Sequence, residues 1–219
     1  MFYRCKRILE KKEEGGFTLL ELIVVISIIS LTLAWALPQF RRRTDKSSVQ
    51  TFTQALVSGL YSLRARQGTD GSGCDIGFSS NYNFNTSETF GSAKDLFELN
   101  HLNGKERDER LKCCDSAQCW NEPGHLTWAK PYRFLNLEGT PSSKKVELQV
   151  SSNSYELSPP GTSAIAEPLI ILVRSKNWNQ DSLRPLPTLC IEVTSNGVVR
   201  KGKWNQNQNK CRNSVARKK

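Results

Sequence analysis

The residues Lys11-Lys12-Glu13-Glu14-Gly15-Gly16-Phe17-Thr18-Leu19-Leu20-Glu21, running on into Leu22-Ile23-Val24-Val25-Ile26-Ser27-Ile28-Ile29-Ser30-Leu31-Thr32-Leu33-Ala34-Trp35-Ala36-Leu37, decide how this chain is built. From Phe17 to Leu37 a single side chain is charged, Glu21. A helix that crosses a bilayer needs roughly 20 mostly apolar residues at about 1.5 Å each, and it satisfies its own backbone hydrogen bonds there. This block has the length, and no later stretch of the 219 residues matches it. The sequence predicts one membrane span at most, followed by a body whose middle is rich in Ser, Asn, Gly and charge.

Flanking charge orients that span poorly. Arg4, Lys6, Arg7, Lys11 and Lys12 precede it and Arg41, Arg42, Arg43 and Lys46 follow it, nearly a tie under the positive-inside rule. A small-x-small site at Ala34-Trp35-Ala36 would permit ordinary secretory cleavage before Leu37. Retention of the whole segment as an uncut anchor is a second option. The block from Lys11 to Glu21, however, resembles the type IV prepilin signature. That resemblance implies a leader of residues 1–16, cut behind Gly16 on the cytoplasmic face by prepilin peptidase. It also implies methylation of the new terminus at Phe17, and retention of the apolar helix in the inner membrane with the body exported. Three positions carry it: Gly16, Glu21 and Pro38, the last being where family helices often bend.

Glu21 has a physical reading beside the family one. An acidic residue at the centre of a span costs about 2.5–3.5 kcal/mol on insertion scales and less near an interface. Near the end of the block its carboxylate could simply reach the headgroups. The resemblance implies instead that Glu21 neutralises the Phe17 ammonium, its own or a neighbour's, when helices pack into a filament.

Behind Pro38 the sequence turns polar at Gln39-Phe40-Arg41-Arg42-Arg43 without ending the helix. Val49, Phe52, Leu56, Leu60 and Leu63 follow at three-four spacing, the stripe of an amphipathic helix. We expect one helix from Phe17 to about Arg66, kinked near Pro38, with residues 38–68 lying against a sheet. Gln67-Gly68-Thr69-Asp70-Gly71-Ser72-Gly73 stops it. Asp70 and Asp75 lack the alternating oxygen ligands of a calcium loop. Val146, Leu148 and Val150 alternate with Glu147 and Gln149 as a half-buried strand, and Leu169 to Val173 reads as a fully buried one. Leu189–Val193, the turn Ser195-Asn196-Gly197 and Val198-Val199-Arg200 read as a hairpin. The expected fold is α+β: a long N-terminal helix packed on a mostly antiparallel sheet, with residues 69–219 as the exported domain. Residues 81–141 give no assignable pattern.

Of seven cysteines, Cys5 would leave with the leader. Cys74, Cys113, Cys114, Cys119, Cys190 and Cys211 form an even set suited to disulfides in an oxidising compartment. Cys113, Cys114, Cys119 and His125 are spaced closely enough for zinc, but adjacent cysteines seldom serve one tetrahedral site, so no metal is expected. With only His101 and His125 in the chain, and no serine or cysteine motif beside either, no catalytic constellation is visible. We expect neither an enzyme nor a cofactor.

The formal charge is +10, and the leader carries only two of those net positive charges. After Glu192 there is no acidic residue, while Arg200, Lys201, Lys203, Lys210, Arg212, Arg217, Lys218 and Lys219 are basic. If Cys190 and Cys211 were joined, as in the C-terminal loop that this segment resembles in many pilins, they would close a loop worth roughly 3 kcal/mol. That loop holds Arg200, Lys201, Lys203, Trp204 and Lys210, with Arg212 just beyond. An aromatic among cations could grip phosphates and stack a base; equally, the charges could keep an exposed tail soluble. From the long helix through Leu60-Tyr61-Ser62-Leu63-Arg64-Ala65-Arg66 to Asn196-Gly197-Val198-Val199-Arg200 the layout is similar to the FimT/GspH group of minor pilins and pseudopilins. The resemblance implies a minor subunit of a type IV pilus, with other pilin or pseudopilin subunits, the membrane and DNA as partners. A pseudopilin of a type II secretion system and an unassembled membrane-anchored binding module are the competing readings.

Overall fold

The computed structural model describes residues 16–70, 74–97, 111–113, 139–157, 167–179 and 185–213. Leader residues 1–15, Cys114, Cys119, His101, His125 and the terminal cations Arg217, Lys218 and Lys219 lie outside the described residues. Contacts divide the chain into two compact units, Met1–Arg41 and Arg42–Lys219.

Helix α1 spans Leu19–Asp70 and is unbroken at Pro38. In the first unit it is wholly exposed: Leu19, Ile23, Ile28, Trp35 and Phe40 are among its exposed large apolar side chains. It is the one helix among the described residues long and apolar enough to cross a membrane, its most apolar window having a mean hydropathy of 2.3. Polar residues inside the apolar block are satisfied locally. Ser27, Ser30 and Thr32 donate their hydroxyls to the carbonyls of Ile23, Ile26 and Ile29, each at 2.8 Å. Bonding back to the preceding turn removes most of the cost of placing a hydroxyl in hydrocarbon.

In the second unit the three-four stripe does what its spacing implies. Val49, Phe52, Leu56, Leu60 and Leu63 are all buried in one core with Val146, Leu148, Val150, Ile171, Val173, Ile191 and Val193. Burying each such side chain stabilises the unit by about 1.5–3 kcal/mol before entropy is counted. Polar contacts fix the helix on the sheet: Tyr61 donates to the Val199 carbonyl at 3.1 Å and Arg64 to the Gly197 carbonyl at 2.8 Å.

The strands among the described residues are β1 (Cys74–Gly77), β2 (Gly91–Ser92), β3 (Leu111–Cys113), β4 (Val146–Val150), β5 (Ser154–Leu157), β6 (Leu169–Ser175), β7 (Leu189–Val193), β8 (Val199–Asn205) and β9 (Lys210–Asn213). Short helices α2 (Ala93–Leu96) and α3 (Pro141–Lys144) lie between them. A six-stranded sheet has the order β2-β4-β6-β7-β8-β9 and a three-stranded one β3-β1-β5. Every pairing within them is antiparallel. The α+β class and the hairpin of β7 and β8 are as expected.

Three readings change. Helix α1 runs on through Gln67, Gly68 and Thr69 to Asp70 and does not stop near Arg66 as expected, a single interior glycine costing a helix only about 1 kcal/mol. Gln149, expected on a solvated face, is buried because the segment after Asn83 covers β4: its Nε2 donates to the Ser87 carbonyl at 2.9 Å and the Thr89 carbonyl at 3.1 Å. Ile170, expected to be fully buried in β6, is partly exposed on that same outer face.

Cys190 and Cys211 are joined, with their Cα atoms 5.8 Å apart. Although β8 lies between β7 and β9 in the sheet, the bond is made because β9 curls over Gly202. Gly202 pairs with Cys190 on one side and Asn213 on the other. A Cβ there would run into the Arg212 backbone carbonyl and come within 3.0 Å of Cys211 Sγ. Gly197, at φ 70°, supplies the left-handed residue of the β7–β8 turn. Gly202→Ala should therefore lower thermal stability by about 1–3 kcal/mol, the usual cost of overpacking. An unchanged melting curve would mean that β9 does not lie against β8.

Candidate functional site: the processing and assembly motif

Gly16 and Phe17 lie ahead of the helix, outside any helix or strand, and Phe17 is 81% exposed. Around Gly16 a Cβ would meet no atom within 4 Å. Folding places no demand on glycine there. Whatever requires a small residue at this position must act from outside the folded chain.

Thr18 begins α1. Its Oγ1 accepts from the Glu21 N–H at 3.2 Å, and its carbonyl accepts from the Leu22 N–H at 3.2 Å. Thr18-Leu19-Leu20-Glu21 is thus the Thr-x-x-Glu pattern of a capping box, with Thr18 as N-cap and Glu21 at the third helical position. Reading Glu21 as a lone charge misses this signal, which is present in the sequence. A carboxylate in the first turn faces the positive end of the helix dipole, worth about 0.3–1 kcal/mol. The Glu21 carboxylate makes no hydrogen bond or ion pair among the described residues and remains available to an ammonium group beside it. Pro38 lies inside the helix, well before the amphipathic stripe begins at Val49.

The other expected constellation is not brought together. Side chains alternate along a strand, and β8 follows that rule. Lys201 and Lys203 share the helix side of the sheet with Val199, and Lys201 Nζ donates to Gln54 Oε1 of α1 at 2.8 Å. Arg200 and Trp204 fall on the opposite side, Arg200 directly across from Glu192. Trp204 packs against Phe84, ring centroids 5.6 Å apart. Lys210 and Arg212 are exposed on β9, and Arg212 donates to Gln208 Oε1 at 3.4 Å.

Of the remaining cysteines, Cys74 is disulfide-bonded and buried, and Cys113 lies opposite it in the backbone register of β1 and β3. No group of three or more His, Cys, Asp or Glu side chains among the described residues could hold a metal ion.

Residues 11–37 match the prokaryotic N-terminal methylation motif. Comparison with curated proteins and with solved structures found no match. The match spans the end of the leader and the apolar half of α1, so the chain carries a type IV pilin-like prepilin signal ahead of an α+β, disulfide-containing body. That signal marks a pilin-like or pseudopilin-like protein. It points to a structural subunit, with prepilin peptidase and other pilins as the partners it implies and the membrane as its anchor.

Gly16→Val should abolish cleavage while leaving the fold of the body unchanged, since the added side chain meets nothing in the chain. Intact-mass measurement in cells containing the peptidase checks it. Wild-type chain should begin at a methylated Phe17 and the variant should stay uncut. A wild-type terminus at Leu37 would contradict the assignment.

Proposed function

We propose that this chain is a minor structural subunit of a type IV pilus, processed behind Gly16 and inserted into the filament through α1. The observation that supports it is the first half of α1: apolar, fully exposed, capped by Thr18, and carrying one carboxylate beside the terminus that cleavage would create. In a bundle of such helices the Phe17 ammonium must be paired, because an unpaired buried charge costs several kcal/mol. Glu21 is the one acidic side chain of the apolar block, and pairing it with a neighbour's Phe17 terminus would set the axial register. Residues 38–68 then carry the body on the surface of the assembly. A pseudopilin of a type II secretion system would use the same device, and the neighbouring genes, pilus motor or secretion channel, separate the two.

Glu21→Ala should leave membrane insertion intact and reduce recovery in sheared filaments at least roughly tenfold, the equivalent of about 1.4 kcal/mol per tenfold. Normal recovery would show that the carboxylate serves only as part of the helix cap.

Polyanion binding, and with it a part in DNA uptake, is a second reading supported by exposed Lys203, Lys210 and Arg212, which share one side of the sheet in the β8–β9 register. Replacing Lys203, Lys210 and Arg212 with Gln should weaken double-stranded DNA binding of the detergent-solubilised protein across all sequences. The slope of log affinity against log salt should fall by up to about 3, near 0.9 for each phosphate that is no longer neutralised. Absence of salt-sensitive binding by the wild type would leave these cations as a solvated surface.

A further inference from the structure

The face of the six-stranded sheet turned away from α1 is not flat. Gln149 of β4, Leu172 and Arg174 of β6 and Trp204 of β8 help form a cleft of about 770 Å³, with the segment around Phe84 to Phe90 and Trp178 also lining it. Of the aromatic side chains lining it, Phe84, Phe90, Trp178 and Trp204 are each half-buried and Tyr155 is fully buried. Two aromatic groupings result. Phe84 and Trp204 form one, their rings tilted by 54°. In the other, the Arg174 guanidinium lies 3.4 Å from the Phe90 ring centroid and 4.7 Å from that of Trp178.

The chemistry of this cleft differs from that of the basic hairpin. Arg174 is spent, because it pairs with Glu147 while packing against both rings. Glu88 and Glu167 also line the cleft, both exposed and without an ion pair among the described residues. Among the described residues lining the cleft, the uncompensated charge is therefore negative, which disfavours phosphates and uronates. A cationic ligand would find the best site for a cation over an aromatic face already taken by the chain's own guanidinium. A wholly apolar ligand would desolvate carboxylates and one buried acceptor. That acceptor is Gln149 Oε1: the residue is only 3% exposed, its amide N–H groups serve Ser87 and Thr89, and its oxygen has no partner among the described residues. Buried polar atoms are nearly always paired, so an oxygen left open on a residue lining a cleft points to a ligand that donates.

We propose that this cleft binds a neutral saccharide. Half-exposed aromatic rings offer flat apolar surface to the C–H face of a pyranose, while its hydroxyls donate to Gln149 Oε1 and to Glu88 and Glu167. A few polar groups on mostly aromatic walls is the usual make-up of a small-molecule site. This assignment is independent of how α1 is processed or assembled, and its test can fail without touching that reading.

The test uses the full processed chain in lipid nanodiscs, which contain no sugar-headed detergent, and saturation-transfer NMR. The probes are maltotetraose, cellotetraose and chitotetraose, with a heparin tetrasaccharide and tetralysine as charged controls. At least one neutral tetrasaccharide should bind at millimolar concentration or below, with an affinity that does not change with salt. Trp204→Ala should weaken that binding roughly tenfold, in line with the loss of one stacking platform, and Trp204→Phe should retain most of it. Trp178→Ala, at the second aromatic grouping, gives an independent readout if Trp204→Ala disturbs β8. Saturation by none of the neutral saccharides, by the charged probes alone, or equally by wild type and both alanine variants would overturn the proposal.

Discussion

None of the large apolar side chains from Phe17 through the first half of α1 to Phe40 is buried among the described residues. That much contiguous apolar surface far exceeds what a soluble monomer leaves in water, so lipid or other helices must cover it. The rest of the organisation is compatible with that demand. Hydroxyls within the block are turned back onto its own carbonyls, its first turn is capped by Thr18, and its single carboxylate sits in that first turn. Beyond the Arg41-Arg42-Arg43 run the same helix begins a second task, closing a core against the sheet through Val49, Phe52, Leu56, Leu60 and Leu63.

The parts of this plan legible in the sequence are those whose signal is local. An uninterrupted apolar block, a three-four stripe, two β-branched strands and an Asn-Gly turn each announce themselves within a dozen residues. β1 and β5 carry no comparable signal, since Cys74–Gly77 and Ser154–Leu157 are short and gain order from pairing across about 80 residues of sequence. β9, Lys210–Asn213, is polar and unreadable as a strand; the β8 hairpin and the Cys190 bond hold it in place. Glu21 as the third residue of a capping box is legible but easily overlooked, because its charge draws the eye away from its spacing to Thr18.

The basic hairpin shows what composition omits. Consecutive residues from Arg200 to Trp204 look like one cluster in sequence, but strand alternation sends Lys201 and Lys203 to one side and Arg200 and Trp204 to the other. Trp204 consequently belongs with Phe84 in an acidic aromatic cleft and not with the lysines. Gln149 is unreadable for the opposite reason: its burial depends on carbonyls about 60 residues earlier in the chain, and nothing around Val146–Val150 reports them.

The central claim is that the exposed apolar face of α1 is covered by other processed helices of the same kind. A photo-reactive amino acid at Leu20, one turn from the Phe17 terminus and beside Glu21, tests it most directly in intact cells expressing the assembly machinery. The account predicts an adduct with a second protein whose own N-terminus is a methylated residue exposed by the same peptidase, and loss of that adduct when Gly16 is replaced by Val. Adducts with lipid alone, undiminished in the uncut variant, would contradict it and leave the helix as a simple membrane anchor.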